Sequence, residues 1–464
     1  MERYDVIIVG GGVSGSFIAQ ELTATGKSVL LLEAGRHFTP ATFPRNEMDA
    51  NAQLYWSGGA ELNSNASLAF LRPKVVGGGT IVNQALLDRF SDEPLESWKS
   101  QSNIEFFSRN HLDPYYEKAE SNLSIQQIPK EHWNENAKIF TEGFDKSGYK
   151  WSTLNRAQKD CRFEDGSDCI ECLGGCPIES KQSTPVTTLK RALENGLTLI
   201  SEFEVTNISD KNNDVTVYGM NAQGNEVRFK GKSLVLASGA IGNSIILQKS
   251  GFKDLLPAIG EGFYTHPQEM VLALFEREIN AFKGGFQAVH SSEPSFKQQG
   301  FKLENVFGPP ASLAMVLPHR RKNLIKIMSQ IKNLACIEVA VRDTVPGKIT
   351  ASKRGNVKIV KKIIGEDKLR KERGLRAIHN IFEKTGAKEV FDGSISIGLH
   401  LMGGCAIGKD RSKSVVDPDF RLHGHQNIFI ADSSIFPNAP GHNPSLTIMA
   451  LAIKASEVIN NHVA

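Results

Sequence analysis

Residues 6–35 read VIIVGGGVSGSFIAQELTATGKSVLLLEAG, and this stretch decides the fold. Val6 to Val9 is an unbroken apolar run, the pattern of a strand buried on both faces. Gly10, Gly12 and Gly15 follow in G-x-G-x-x-G spacing, and Phe17, Ile18, Ala19 and Leu22 then recur at helical intervals as far as Gly26. Ser28 to Leu32 reads as a second strand that runs into Glu33 and Ala34. Strand, glycine turn, helix, strand and terminal acid together make a dinucleotide-binding βαβ unit. The glycines admit a pyrophosphate to the backbone, and the helix N-terminus, with Ser14 in its first turn, offers N–H groups to the phosphates. Glu33 stands where a carboxylate bonds ribose hydroxyls. The expected class is α/β with a Rossmann-like sheet; the fingerprint by itself fits NAD and FAD alike.

Composition bounds the rest. The chain has 464 residues, 40% hydrophobic and 23% charged, enough for two domains or one large composite. A net charge of +3 is too small to point to nucleic acid. No run of about 18 apolar residues exists, so no transmembrane segment is expected. Glu2, Asp5 and the early glycines do not make a secretory signal. Six cysteines, four of them clustered, fit a reducing, cytoplasmic setting.

The C-terminal region holds the second informative stretch. Asn427 to Ala431 reads as a buried strand with Asp432 at its carboxyl end, where open α/β sheets bind ligands. Asn443-Pro444-Ser445 reads as a helix start with Asn443 as cap, and Leu446, Ile448, Met449, Leu451, Ala452, Ala455, Val458 and Ile459 continue the helix. Its N-terminus is expected to face something anionic. His400 lies upstream, just before Gly403 and Gly404.

The wording H-x-x-G-G-C-x-x-G from His400, S-V-V-D from Ser414, N-I-F-I-A-D-S-S from Asn427 and N-P-S-L-T from Asn443 resembles the C-terminal block of the glucose–methanol–choline (GMC) flavin oxidoreductases. The cholesterol-oxidase-like branch is nearest. Residues 75–83, VVGGGTIVN, are similar to that family's first signature. The resemblance implies that FAD is the cofactor, that Gly78 and Gly79 pass over the flavin, that Asn83 bonds near it, and that Val205 follows the adenine. Residues 239–251 resemble the second signature but carry Asn243 where Ser or Thr is usual. Asp113-Pro114-Tyr115-Tyr116-Glu117 is expected to start a helix, residues 197–205 to form a strand, and His266 to be an ordinary histidine in a loop.

The implied architecture is a discontinuous FAD-binding domain (residues 1–100, 180–268 and 393–464) with an inserted α+β substrate domain (101–179 and 269–392) whose antiparallel sheet roofs the pocket. Its basic runs, His319 to Lys322, Lys353-Arg354, Lys361-Lys362 and Lys368 to Arg373, read as a solvated face. The implied activity is oxidation of the CH–OH group of a small-molecule alcohol. His400 is expected to take the hydroxyl proton, since imidazole titrates near neutrality. Asn443 is expected to orient the alcohol, with His442 as its competitor. Sterol, aliphatic alcohol, polyol and sugar stay open, tilted toward a hydrophobic alcohol. The electron acceptor is oxygen, a quinone or a partner protein.

Cys169, Cys172 and Cys176 stand in C-x2-C-x3-C-P spacing, three quarters of a ferredoxin run, with Gly166 where the first cysteine would be and Cys161 further upstream. An iron–sulfur cluster or zinc on these thiolates, or a metal-free structural loop, are the alternatives. A cluster would make the chain an electron-transferring dehydrogenase subunit.

Overall fold

The computed structural model describes residues 3–162, 168, 170–211, 214–285, 287–318, 321–352 and 355–463. The strand Arg3–Val9 lies at the centre of a seven-stranded sheet. Val29–Leu32 and then Thr198–Ile200 run parallel to it on one side, and Glu226–Leu236 on the other. The far edge of Glu226–Leu236 is shared. Its first half pairs antiparallel with Asp214–Met220, and Leu234 to Leu236 pair parallel with Ile428–Ile430. Continuous apolar runs form these strands because helices cover both faces. The helix Val13–Thr23 buries Phe17, Ile18 and Leu22 against the sheet, and the last helix, Ser445–His462, packs against it. The Ser14 hydroxyl donates to Ala431 O at 2.7 Å, tying the first glycine turn to the end of the last strand.

A second, larger sheet has Glu261–Leu274 as its spine. This strand pairs antiparallel with Leu334–Val341 on one edge and with Ser396–Gly403 on the other. The helices Glu135–Ser147 and Glu366–Lys384 cover the sheet around a separate core that includes Phe140, Val271, Ile337, Ile378 and Phe382. Asn136, wholly buried, fastens one helix to it: Nδ2 donates to Val306 O and Cys336 O at 3.1 and 3.0 Å, and Oδ1 accepts from Cys336 N–H at 2.8 Å.

Several local expectations change. Residues 197–205 form two strands rather than one, Thr198–Ile200 and the start of Glu204–Lys211, broken at Glu202 with φ +55°. The segment around His266 is strand, not loop, because its backbone bonds are claimed by Ser396–Gly403. The helix expected at Asp113 starts at Arg109 and contains Pro114. Strands Glu61–Leu62 and Leu68–Phe70, from the first expected piece, and Ser396–Gly403, from the last, all join the second sheet. Lys361 is not on a solvated face. It is 2% exposed, and its Nζ meets Asp343 Oδ1 at 2.6 Å. His319, Arg320, Lys353 and Arg354 lie outside the described residues.

Asn136→Ala leaves three buried backbone groups without partners and should lower the unfolding free energy by about 2–4 kcal/mol in urea titration. An unchanged midpoint would show that the helix is held by its apolar face alone.

Candidate active site

A cavity of about 1000 Å³ runs between the two sheets. One end is built by the N-terminal turn. A Cβ on Gly15 would sit 1.9 Å from Gly10 O, so only glycine lets the helix pack this closely. Gly12 differs: nothing but Gly78 Cα, at 3.9 Å, lies near its missing Cβ, and it opens to the cavity. The helix behind it has no side-chain cap, which leaves the first-turn N–H groups for a ligand. Glu33 is braced by Gly11 N–H on Oε2 at 2.8 Å and by Gly35 N–H on Oε1 at 2.7 Å. Burial raises its pKa, and those two N–H groups oppose the rise. Ala34, Gly78, Gly79, Asn83 and Val205 line the same cavity. An open glycine cradle, an uncapped helix end and a fixed carboxylate are the parts that a dinucleotide such as FAD requires.

Asp432 lines the cavity as well, but its carboxylate is already engaged. Oδ2 accepts from Gly239 N–H at 2.6 Å and from Asn243 Nδ2 at 2.9 Å, while Oδ1 accepts from Ser434 N–H at 2.8 Å. Asn243, the departure from the second signature, is what makes this junction. Its Oδ1 accepts from Ser238 N–H at 3.0 Å, and Nδ2 also reaches Ser434 Oγ at 3.0 Å.

At the other end stand His400 and Asn443. His400 has φ +53°, a left-handed backbone that a non-glycine residue keeps only when its surroundings hold it. Its Nδ1 lies 2.9 Å from His266 Nδ1, and its Nε2 has no partner among the described residues. His266 is 2% exposed, and its Nε2 accepts from Gly441 N–H at 3.0 Å. Burial first, then the charge of Lys302, pushes the His400 pKa down to about 4. Burial also lowers that of His266, and the charge of its neighbour adds to the shift.

Asn443 does not cap the last helix. The N-cap position is Pro444, without a side-chain bond, because the Asn443 amide is committed elsewhere. Lys302 Nζ donates to Asn443 Oδ1 at 3.1 Å, and Asn443 Nδ2 faces Glu304 Oε1 at 3.4 Å. Lys302 Nζ also meets Glu304 Oε1 at 2.8 Å and Asp88 Oδ2 at 3.8 Å. Burial alone would raise the Glu304 pKa, but Lys302 outweighs it and brings the value to about 2. Burial, and then the negative charge of neighbouring Glu304, drive the pKa of Glu338 well up. Pro444 and Ser445 face the cavity, so the first turn of the last helix opens there too. His442 turns away. Its Nδ1 contacts Pro440 O at 3.1 Å, its ring lies 5.5 Å from Phe90, and it lines a second cavity.

Among the described residues no three His, Cys, Asp or Glu side chains are arranged to hold a metal, and Cys169 and Gly166 lie outside those residues. Cys176 is buried, and the hydrogen bond from the Cys172 side chain, joined by Lys181 N–H at 3.5 Å, brings its pKa down to about 5. The turn Glu171–Gly174 borders the main cavity, and Lys181 Nζ ties Cys172 O to Ile81 O and Asn83 O, beside the glycine signature. Geometry makes this segment a wall of the main cavity.

The N-terminal GMC oxidoreductase sequence profile matches residues 4–268, and the C-terminal one matches residues 353–452. The chain therefore belongs to the GMC oxidoreductase family. It is 28% identical to an uncharacterized GMC-type oxidoreductase of Sinorhizobium fredii, over 99% of this chain and 95% of that one. It is 24% identical to a long-chain-alcohol oxidase of Arabidopsis thaliana, over 98% of this chain and 67% of that one. Formate oxidase of Aspergillus oryzae, solved in a study of its FAD modification, has the same fold with a TM-score of 0.77 at 15% identity, covering 99% and 98% of the two chains. No helix among the described residues is long and apolar enough to cross a membrane.

Gly12→Val should place two methyl groups in the open space that the pyrophosphate of a bound dinucleotide would need. The purified variant should be colourless after reconstitution with FAD, while the parent is yellow. Acid should also destabilise the fold in a defined window. The folded His400 pKa of about 4 lies below its ordinary 6.5, so between those values the unfolded chain binds the extra proton and stability falls as pH drops. His400→Gln should make the decline of Tm over that range shallower.

Proposed function

We propose that the chain oxidises the CH–OH group of an alcohol with FAD as its cofactor. The reading rests on one observation: His400 and Asn443 share a cavity with the glycine cradle and Glu33. FAD, when bound, takes up the hydride that leaves the carbinol carbon. His400 Nε2 and the Asn443 amide are the groups available to hold the hydroxyl oxygen. The N–H groups opening at Ser445 supply positive potential for negative charge that builds up nearby. Met270, Val306, Phe307, Ile395 and Leu399 give the substrate end an apolar wall, which favours an alcohol with a hydrocarbon body. The Arabidopsis relative is named for oxidising long-chain alcohols, which agrees with that wall.

Anaerobic mixing of the flavin-loaded protein with a panel of alcohols tests the reading. A long-chain primary alcohol or a sterol should bleach the flavin faster than a polyol or a sugar, and a flavin that no alcohol bleaches would contradict it. Admitting oxygen or a quinone afterwards identifies the acceptor. His400→Gln should retain flavin and slow bleaching by roughly 100-fold or more, the usual scale for such a group. Asn443→Ala should slow it less.

A further inference from the structure

We infer that His266 sets the tautomer of His400 and makes the nitrogen facing the cavity a hydrogen-bond donor. The chain of reasoning begins at Gly441. A backbone N–H can only donate, so His266 Nε2, 3.0 Å away, accepts and carries no proton. Burial keeps His266 neutral, and its single proton is therefore on Nδ1. That proton points at His400 Nδ1, 2.9 Å away, which must accept it. Neutral His400 then carries its own proton on Nε2. The opposite arrangement would set His266 Nε2–H against Gly441 N–H, two donors face to face.

The three groups have little freedom to rearrange. His266 is locked in strand pairing opposite Leu399, and Thr265 N–H is held by Asp343 Oδ2 at 2.9 Å. The loop that carries Gly441 is pinned through Trp98 Nε1 to Asn438 O at 3.1 Å, Gln101 Nε2 to Pro437 O at 3.0 Å, and Arg342 Nε to Ala439 O at 3.3 Å.

This replaces the base role expected of His400 from the sequence. A nitrogen that already bears a proton cannot take one from the hydroxyl: His400 Nε2–H donates to the alcohol oxygen, and the hydroxyl proton passes instead to the Glu304 carboxylate, which lines the same cavity beside Asn443. His266 is a positioning residue that acts through His400. The catalytic meaning rests on the proposed alcohol oxidation, whereas the tautomer assignment does not.

Long-range proton–nitrogen spectra of the flavin-loaded enzyme, labelled with ¹⁵N histidine only and free of substrate, read the tautomer directly. His400→Gln assigns the signal by deleting it. At neutral pH, His400 should show a protonated Nε2 and an unprotonated Nδ1, with the reverse pattern at His266. A protonated Nδ1 on His400, or a charged ring, overturns the inference. His266→Gln retains an acceptor for Gly441 N–H but has no donor at the δ position. In that variant the His400 nitrogens should drift toward a tautomer average. Flavin reduction should fall about twofold for an even mixture, and further if the other tautomer prevails. An unchanged His400 spectrum in a folded variant would show that His266 does not set the tautomer. Turnover with Nδ1 protonated would sink the inference and leave the proposed function standing. Protonated Nε2 with no alcohol oxidised would do the reverse.

Discussion

The fourteen-residue strand Glu261–Leu274 is the constraint from which the site follows. It bonds Gly347–Ala351 and then Leu334–Val341 on one edge, and on the other it bonds Ser396–Gly403 and then Glu389–Asp392. Its entry is fixed by Gly260 N–H to Gly404 O at 2.7 Å. Because the ladder sets the register, His266 and His400 meet although 134 residues separate them. A slip of one position would turn His266 to the other face of the sheet and break the contact with His400. The left-handed backbone at His400 is held at this ladder, between strand pairing before it and the Gly403-Gly404 turn after it.

Buried charge at the substrate end has a related logic. Lys302 and Glu304 would each cost several kcal/mol to bury alone, but together they satisfy one another and brace Asn443 from both sides. The same lysine helps to keep His400 neutral. Burial and the adjacent Glu304 charge push the Glu338 carboxyl toward its neutral form. One cation thus governs three neighbours, and an amide that would otherwise be able to rotate has a fixed oxygen and a fixed nitrogen. Asp432 and Asn243 do comparable work beside the first glycine turn, where they join the Gly239 turn to the last strand of the first sheet.

The parts legible in the sequence were those whose partners are near in the chain. Gly10 to Glu33 announced the dinucleotide cradle because strand, turn, helix and acid follow one another within thirty residues. His400 and Asn443 stood out through their flanking wording, and both line the cavity. His266 did not, because its meaning depends on a strand partner and a loop distant in sequence. A polar residue set in the run from Phe263 to Leu274, which is otherwise mostly apolar, was its only trace. Lys302, Glu304 and Glu338 left a clearer one: charged residues inside strands such as FKLEN and LACIEVAV are seldom buried unless paired. The cap assigned to Asn443 failed for the same reason, since local helix-start rules cannot see Lys302 approaching from another strand.

The most direct test is a crystal structure of the flavin-loaded protein with an alcohol or unreactive analogue bound. The account predicts the pyrophosphate against Gly12 and the first turn of the helix Val13–Thr23, and ribose hydroxyls on Glu33. It also predicts the flavin edge at Ser445 and the ligand oxygen within hydrogen-bond distance of both His400 Nε2 and the Asn443 amide. A flavin bound away from the glycine cradle, or a ligand oxygen that touches neither His400 nor Asn443, would contradict it.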